Sequence, residues 1–431
     1  MSREMKDSGV EWIGQIPEGW KVSKFKFHTK AKSEKNPGNA TILSLYREHG
    51  IVIKDSRDDN HNRTSLDTSS YRYVEVNDFV VNKMKAWQGS VAVSQYTGVV
   101  SPAYYVYKIT DAEIYPLYLH YLLRSCYKDE FRRLSGGIRI GQWDLPSEAL
   151  ENTLILQPSP TEQQQIVHFL DRKCTAIDTA IEKTKKSIEK LEEYKKAVIT
   201  NAVTKGIDPN AKMKDSGVEW IGEIPEDWEV IKLKYLLKDS MKYGATETGI
   251  EYSEELPRYI RITDITSDNK LKDSGKLSLT EQQAEKYLLK EDTILFARSG
   301  ATVGKTFLYK TEYGRAAFAG YMISAIPNND KLLATWLYYY TLSFSYADWV
   351  KRSFLQATIQ NIGADKYSNL LISLPCINKQ SEIVKYLDDK CAMFDVVIKK
   401  KKKAIEKWEE YKKSLIYYAV TGKIDCRNEV V

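Results

Sequence analysis

The sequence of 431 residues lacks the patterns that mark several common classes of protein. Its five cysteines are scattered and form no CxxC pair, which argues against a disulfide framework and against a zinc site. The five histidines form no HExxH motif, so metal-dependent chemistry is not indicated. No apolar run approaches the roughly 20 residues of a membrane span, and the opening MSREMKDSGVEW lacks the apolar core of a signal peptide. We therefore expect a cytoplasmic protein with no metal and no membrane partner.

Catalytic motifs are missing as well. A methyltransferase would show a glycine-rich donor motif and an (N/D)PP(F/Y) box, and neither occurs. The stretch RSGATVGKT at 298–306 resembles a phosphate loop, but Gly300 and Gly304 enclose three residues where the motif needs four. A glycine-rich loop near DNA phosphates, a plain turn and an unrecognised nucleotide site stay open for this stretch. The net charge of +6 permits a polyanionic partner without requiring one.

Internal repetition is the strongest pattern in the chain. MKDSGVEWIGQIPEGW at 5–20 and MKDSGVEWIGEIPEDW at 213–228 are identical at fourteen of sixteen positions. The segment 163–208 matches 380–425 at 26 of 46 positions, whereas the stretches between these frames differ much more. We predict that the frames share one role and that the inserts have two related but different roles. The predicted segments are a signature (1–20), an insert (21–158), a long helix (159–208), a linker with the second signature (209–228), a second insert (229–375), and a second long helix with a C-terminal tail (376–431).

The repeated segment that follows each insert predicts a long helix with a coiled-coil seam. No Pro or Gly interrupts 163–204 or 380–421, and apolar residues recur at spacings of four and three. Each helix of about 40 residues should be roughly 60 Å long. The predicted seam residues are Leu170, Ile177, Ile181, Ile188, Leu191 and Val198 in the first helix and Leu387, Phe394, Ile398, Ile405, Trp408 and Leu415 in the second.

A narrow apolar stripe needs a partner helix, and the other repeat of the same chain can supply it. Two units related by a two-fold axis would pair the helices antiparallel, with Leu170 near Ala419 and Ala202 near Leu387. Lys195 and Lys412 fall on the seam, where they either set the register or fold their stems over its edge. The lysine run 399–403 fits a solvated helical face or a phosphate contact.

Both inserts show strand-like runs and one helical stretch, which predicts an α+β fold for each. The strand-like runs are 41–45, 78–82 and 104–107 in the first insert and 258–262, 293–297 and 321–325 in the second; the helical stretches are 115–134 and 331–354. Shared landmarks indicate that the inserts are homologous: Tyr73, Asp78, Gly89 and Tyr104 match Tyr287, Asp292, Gly304 and Tyr321.

Basic, amide and aromatic side chains alternate in the loops of both inserts. Such side chains form hydrogen bonds with base edges and phosphates, although a single polar loop is more often simply solvated. The candidate DNA-binding residues are Lys83, Lys85, Trp87, Gln88, Arg139 and Gln142 in the first insert and Arg261, Thr263, Arg298, Ser299, Lys305, Thr358, Gln360 and Asn361 in the second. We identify no catalytic residue.

With these features the chain resembles the specificity subunit of Type I restriction-modification systems. The resemblance covers nearly the whole chain and rests on the duplicated signature, on PSPTEQQQIVHFLD at 158–171, and on the endings EEYKKAVITNAVTKGID and EEYKKSLIYYAVTGKID of the two repeats. The start of the second helix, NKQS at 378–381, departs from the family pattern by lacking the glutamate.

The resemblance implies a fold and a set of partners. Two homologous α+β target recognition domains would be joined by an intramolecular antiparallel coiled coil with pseudo-two-fold symmetry, each domain reading half of a bipartite, asymmetric double-stranded DNA site. Two modification subunits would carry S-adenosylmethionine, and two restriction subunits would use ATP and Mg. This chain would contribute specificity and assembly, with no cofactor of its own. The alternative function is a coiled-coil scaffold whose globular domains bind proteins.

Overall fold

The computed structural model describes residues 3–47, 49–56, 67–137, 143–266, 269–354 and 361–428. The chain forms two compact units. Unit 1 comprises Met1–Thr184 with Lys402–Val431, and unit 2 comprises Lys185–Lys401. Each unit therefore contains one signature, one insert and part of both long helices. The inserts 21–158 and 229–375 are called head 1 and head 2 below.

The first half of the chain contains twelve strands and four helices among its described residues. The strands are β1 Met5–Asp7, β2 Gln15–Pro17, β3 Lys21–Lys24, β4 Thr29–Lys32, β5 Leu43–Tyr46, β6 Gly50–Ile53, β7 Arg72–Val74, β8 Phe79–Asn82, β9 Val91–Val93, β10 Gly98–Val100, β11 Tyr104–Ile109 and β12 Leu154–Gln157. The helices are α1 Pro116–Cys126, α2 Lys128–Leu134, α3 Ser147–Glu151 and α4 Pro160–Lys205.

The second half repeats this organisation with twelve strands and five helices in the part that the structure describes. The strands are β13 Met213–Asp215, β14 Glu223–Pro225, β15 Glu229–Lys232, β16 Lys242–Tyr243, β17 Ile250–Glu251, β18 Arg258–Ile260, β19 Leu277–Ser278, β20 Ile294–Ala297, β21 Thr306–Leu308, β22 Ala316–Phe318, β23 Met322–Ala325 and β24 Leu371–Leu374. The helices are α5 Glu281–Ala284, α6 Ala334–Thr341, α7 Phe344–Phe354, α8 Ala364–Ser368 and α9 Ile377–Val420.

The same central sheet stands in both heads. It is antiparallel, with the order β4-β11-β8-β9 in head 1 and β16-β23-β20-β21 in head 2. The equivalent strands β8 and β20 are mainly apolar and are buried along their whole length, as strands covered on both faces require. Head 2 adds a second four-stranded sheet, β17-β19-β18-β22, with its own buried cluster, where head 1 has two short two-stranded ladders. The α+β expectation is confirmed.

Each head closes on itself where it joins the frame. In head 1, β3 and β12 pair antiparallel, so that Lys21 lies opposite Gln157. In head 2, β15 and β24 pair in the same way, with Glu229 opposite Leu374. Because the two ends of each insert form one ladder, each head leaves the frame and returns to it at neighbouring points.

The duplicated signature is a small hairpin that packs on a helix end. In unit 1, β1 pairs with β2, and the buried Trp20 donates from Nε1 to Oε2 of Glu162 (3.0 Å) at the start of α4. Lys423, just after α9, donates to the carbonyl of Ile13 in the same hairpin (3.0 Å). The equivalent Trp228 of unit 2 is buried against Trp336, with ring centroids 5.5 Å apart. The shared role of the frames is therefore to join each head to the ends of the long helices.

The long helices pair antiparallel within each unit, as predicted. In unit 1, Leu170 of α4 belongs to the buried cluster that contains Ala419 of α9, and Asp178, two turns further along α4, bonds to Lys412, two turns earlier in α9. In unit 2, Ala202 shares a buried cluster with Leu387. Residues at the start of one helix thus meet residues at the end of the other, which defines antiparallel pairing.

The two seam lysines form equivalent ion pairs with the facing helix. In unit 1, Lys412 Nζ lies 2.6 Å from Oδ2 of Asp178. In unit 2, Lys195 Nζ lies 2.6 Å from Oδ1 of Asp395. These positions correspond through the repeat, so both units use the same contact. The lysines therefore make specific pairs across the seam, which supports their predicted role in setting the register.

Most predicted seam residues are buried, but Trp408 is not. Its side chain is 40% exposed and packs edge-on against Tyr411 of the same helix, with ring centroids 6.2 Å apart. An indole is larger than the Leu or Ile that a two-helix seam accommodates, so part of the ring remains in contact with solvent. The prediction of a seam position for Trp408 is corrected to a position at its edge. The other members are buried (Leu170, Ile177, Ile181, Ile188, Leu387, Ile398, Leu415) or partly buried (Leu191, Val198, Phe394, Ile405).

The strand register refines the correspondence between the heads. Gly89 and Gly304 match as predicted, since both have positive φ and both stand two residues before the equivalent strands β9 and β21. The other three landmarks are each wrong by one residue: Tyr73, Asp78 and Tyr104 correspond to Leu288, Thr293 and Met322. Residue identity suggested these matches, whereas the hydrogen bonds between strands decide them.

Candidate nucleic-acid interface

In head 1, two of the predicted loops meet at the end of β8. The backbone N–H of Leu145 donates to the carbonyl of Lys83 (3.0 Å). The Nζ of Lys83 lies 2.8 Å from Oδ2 of Asp144. Trp87 packs edge-on against Trp143, with ring centroids 5.6 Å apart. The loop 83–90 and the segment 143–145 thus form one surface, called loop pair 1.

Head 2 places the corresponding loops together at the end of β20. The backbone N–H of Ile362 donates to the carbonyl of Arg298 (2.8 Å), and Ser299 forms an antiparallel bridge with Asn361. The loop 298–305 and the segment 361–362 are called loop pair 2. The sequence predicted these loops separately, and the sheet brings them together in both heads.

A cleft of about 510 Å³ lies beside loop pair 1. Three of the candidate residues, Lys85, Trp87 and Gln88, contribute to its wall. Lys85 is exposed, whereas Trp87 and Gln88 are half-buried, and Oε1 of Gln88 accepts a hydrogen bond from Arg47 (2.6 Å). An aromatic ring, an amide and an ammonium group in one concave surface can stack on a base, read its edge and bind a phosphate.

The cleft also contains polar residues that the sequence analysis missed. They come from five different stretches of head 1: Ser44, Lys54, Tyr71, Asn82, Ser101 and Tyr104. Asn82 ends β8 and Tyr104 begins β11, and these two residues lie opposite each other in the sheet. Burial raises the pKa of Tyr104 above its ordinary value, and its phenol is available as a hydrogen-bond donor at neutral pH. A polar or aromatic residue at a strand end was the only available signal, and it is too common to be decisive.

Two candidate cations of head 2 form hydrogen bonds inside the head. Arg261 makes a two-bond contact with Asp264 (3.0 and 2.7 Å) and donates to the carbonyl of Gly275 (2.8 Å). The hydrogen bond with Asp264 raises the pKa of Arg261 further. Lys305 donates to the carbonyls of Thr266 and Ile265. Both side chains therefore hold loops of the head in place.

The remaining candidates of loop pair 2 have a different environment. Arg298 is half-buried, and its guanidinium lies over the ring of Tyr243, 4.8 Å from the centroid. Its Nε and the Oδ1 of Asn361 are buried, and neither has a hydrogen-bond partner among the residues that the structure describes. Thr263 is exposed, and Ser299 is half-buried. Loop pair 2 thus presents a guanidinium and an amide at the same place.

Four candidates lie outside the described residues: Arg139, Gln142, Thr358 and Gln360. They fall in the segments 138–142 and 355–360, each of which immediately precedes the second member of a loop pair. Their assignment to DNA binding stays a prediction from the sequence.

The resemblance of 298–306 to a phosphate loop is not supported by its surroundings. A phosphate loop leads into the N-terminus of a helix, whose backbone N–H groups bind the anion. Here the loop leads into β21, and the ammonium of Lys305 donates to two backbone carbonyls. The hypothesis of a nucleotide site therefore has no structural basis at this loop.

Across the described ranges, no group of three or more His, Cys, Asp or Glu side chains could hold a metal ion. None of the helices in the described ranges combines the length and the apolar character needed to cross a membrane.

Comparison with known proteins finds a family model and relatives that are similar to this chain. Residues 225–407 match the family model described as the Type I restriction modification DNA specificity domain. The Type I restriction enzyme MjaVIII specificity subunit of Methanocaldococcus jannaschii is 25% identical over 96% of this chain and 95% of its own length. The EcoDI specificity subunit of Escherichia coli is 21% identical over 96% of this chain and 90% of its own.

A solved structure shows the same fold. It comes from a study of complex assembly and conformational transition of the type I R-M system, and the matching chain superposes with a TM-score of 0.70 at 14% identity. The match covers 95% of this chain and 99% of that chain. The repeat, the paired helices and these comparisons agree: along nearly its whole length the chain is similar to the specificity subunits of Type I restriction-modification systems.

Proposed function

We propose that the chain reads an asymmetric, bipartite site in double-stranded DNA, with one half-site for each head. The observation that carries the proposal is the equivalence of loop pairs 1 and 2. Both stand at the same end of the same strand of the central sheet, yet their side chains differ. Equivalent surfaces with different side chains bind the same class of ligand with different base preferences, so the two half-sites should be unlike.

The chemistry of the loop pairs suits DNA. The cleft of head 1 combines Lys85, Trp87 and Gln88, and loop pair 2 combines Arg298 with Asn361. Amide and guanidinium groups discriminate base edges, while ammonium groups bind phosphates and make the affinity dependent on salt. The chain itself is a non-catalytic subunit, because its relatives are specificity subunits.

The long helices are proposed to fix the gap between the half-sites and to bind the other subunits. The helices α4 and α9 span 46 and 44 residues without a break, and each begins in one unit and ends in the other. We propose two modification subunits, which carry S-adenosylmethionine, and two restriction subunits, which use ATP and Mg. The cytoplasm, where DNA is accessible, is the proposed location.

A head exchange tests the proposal. Residues 21–158 are replaced by the corresponding insert of a related specificity subunit, with the joints placed in the β3–β12 ladder. The complex with the modification subunits is then assayed for the methylated motif by single-molecule sequencing. A DNA reader changes one half of the motif and keeps the other, and exchange of 229–375 changes the opposite half. A scaffold whose heads bind proteins would leave the motif unchanged.

A further inference from the structure

The electrostatics of the two loop pairs differ where each loop bonds to its second segment. In head 1 the Leu145 N–H bonds to the Lys83 carbonyl, and in head 2 the Ile362 N–H bonds to the Arg298 carbonyl. These bonds align Lys83 with Arg298. The preceding residues, Asp144 and Asn361, are therefore equivalent as well. Lys83 and Arg298 each stand one residue beyond the end of the equivalent strands β8 and β20.

In head 1 this position is neutralised. Lys83 and Asp144 form an ion pair at 2.8 Å, with side chains 32% and 40% exposed. The hydrogen bond with Asp144 raises the pKa of Lys83, which keeps the lysine charged and paired. A cation that already holds a carboxylate has little net attraction for a phosphate or a base acceptor, because binding would require the pair to separate.

In head 2 the carboxylate is replaced by the amide of Asn361. In the part of the chain that the structure describes, Arg298 has no carboxylate within ion-pair distance, and its guanidinium face is held by the ring of Tyr243. A guanidinium bonds acceptors through its N–H edge and stacks through its face, so this contact orients the group without using up its edge. The amide of Asn361 leaves the positive charge of Arg298 uncompensated.

We propose that Arg298 is a DNA-binding cation of head 2 and that Asp144 keeps the equivalent cation of head 1 out of DNA binding. Arg298 donates to a hydrogen-bond acceptor on DNA, either a guanine edge or a phosphate oxygen. The inference rests on the proposed function and adds which position of which head supplies the contact.

Reciprocal exchange of the two equivalent side chains tests this assignment. Asn361→Asp places the carboxylate of head 1 beside Arg298, and Asp144→Asn removes it from Lys83; both changes conserve side-chain size. The complex with the modification subunits is titrated with a duplex that carries its methylated motif. Asn361→Asp should weaken binding by roughly 5- to 150-fold, the value of one good base contact. Asp144→Asn should not weaken binding and should steepen the salt dependence by about one phosphate contact.

The Arg298→Lys variant distinguishes a guanine edge from a phosphate oxygen as the acceptor. It also keeps the test decisive if Asn361→Asp does not fold. If the acceptor is a guanine edge, the lysine variant loses preference at one base of one half-site. If the acceptor is a phosphate, all sequences are bound with nearly unchanged relative affinity. Asn361→Asp and Arg298→Lys variants that both bind the motif like the unmodified chain would overturn the assignment of Arg298.

Failure of this inference can be told apart from failure of the proposed function. If the head exchange moves one half of the motif but these variants leave binding unchanged, only the role of Arg298 is wrong. If the head exchange leaves the motif unchanged, the proposed function itself is wrong.

Discussion

A buried glutamine at the start of each long helix should be among the most sensitive positions of the chain. In unit 1, Gln163 is completely buried. Its Nε2 donates to the carbonyls of Glu113 (2.8 Å) and Pro158 (2.9 Å), and its Oε1 accepts from the backbone N–H of Tyr115 (2.7 Å). One side chain thus joins the helix start to the loop before α1.

An equivalent set of hydrogen bonds occurs in unit 2, so the same prediction can be tested twice in one chain. Gln380 is also completely buried. Its Nε2 donates to the carbonyls of Lys331 and Pro375 (2.9 Å each), and its Oε1 accepts from the N–H of Leu333 (2.9 Å). Because the two glutamines correspond in the repeat, they should respond alike to the same change.

The expected magnitude follows from the number of bonds. Gln163→Leu keeps a similar volume but removes three hydrogen bonds and leaves one N–H and two carbonyls without this partner. At about 1 kcal/mol net for each bond, the free energy of unfolding should fall by about 3 kcal/mol. The neighbouring Gln164 is exposed, so Gln164→Leu should change the free energy of unfolding by less than about 0.5 kcal/mol.

Urea unfolding and hydrogen exchange provide the assay. The midpoint of the transition of the affected unit should fall at an unchanged slope, and the amide of Tyr115 should lose protection in Gln163→Leu but not in Gln164→Leu. Gln380→Leu should reproduce the effect in unit 2, at Leu333. If Gln163→Leu is no more destabilising than the Gln164 control, the reasoning about this joint is refuted.

Three further predictions concern single side chains. Lys195→Asp should lower the free energy of unfolding by about 1 kcal/mol, because its partner Asp395 is exposed to solvent and the pair is therefore partly screened. Adding Asp395→Lys should restore that free energy in a double-mutant cycle, and additive losses would exclude the pair. Burial and a nearby arginine lower the pKa of His120 from 6.5 to about 4. Because the native state then binds fewer protons than the unfolded state between these pH values, roughly 3 kcal/mol of stability should be lost as the pH falls from 6.5 to 4. A His120→Asn variant should flatten that loss in urea titrations, and an equally steep loss would contradict the assignment. Iodoacetamide should label the exposed Cys376 before Cys126, because burial raises the pKa of the Cys126 thiol to about 12. Peptide mass spectrometry measures the two rates, and equal labelling would contradict the buried environment of Cys126.

The sequence was sufficient to predict the features that depend on local periodicity. The seam spacing predicted both long helices, and the repeat predicted their antiparallel pairing, which the Asp178–Lys412 contact confirms. The helical stretches 115–134 and 331–354 were predicted as single elements, whereas each is two helices. The break in the first stretch lies at Tyr127, which no Gly or Pro signals.

The site depended on long-range contacts that periodicity does not encode. Lys83 and Asp144 are 61 residues apart, and only the path of the sheet and the return of the chain after α2 bring them together. The composition of a loop also fails to distinguish a cation that faces DNA from one that supports the loop. Arg261 and Lys305 belong to the second kind, because carbonyl or carboxylate partners within the head hold them.

The central claim is that two different heads, held by one pair of long helices, recognise two different half-sites. The methylated motif tests this claim most directly. The chain and its modification subunits are expressed together in a host without other methyltransferases, and modified adenines are mapped by single-molecule sequencing. We predict a motif of two different half-sites separated by a gap of fixed length and unspecified sequence. A palindromic or uninterrupted motif, or a gap of variable length, would contradict the account.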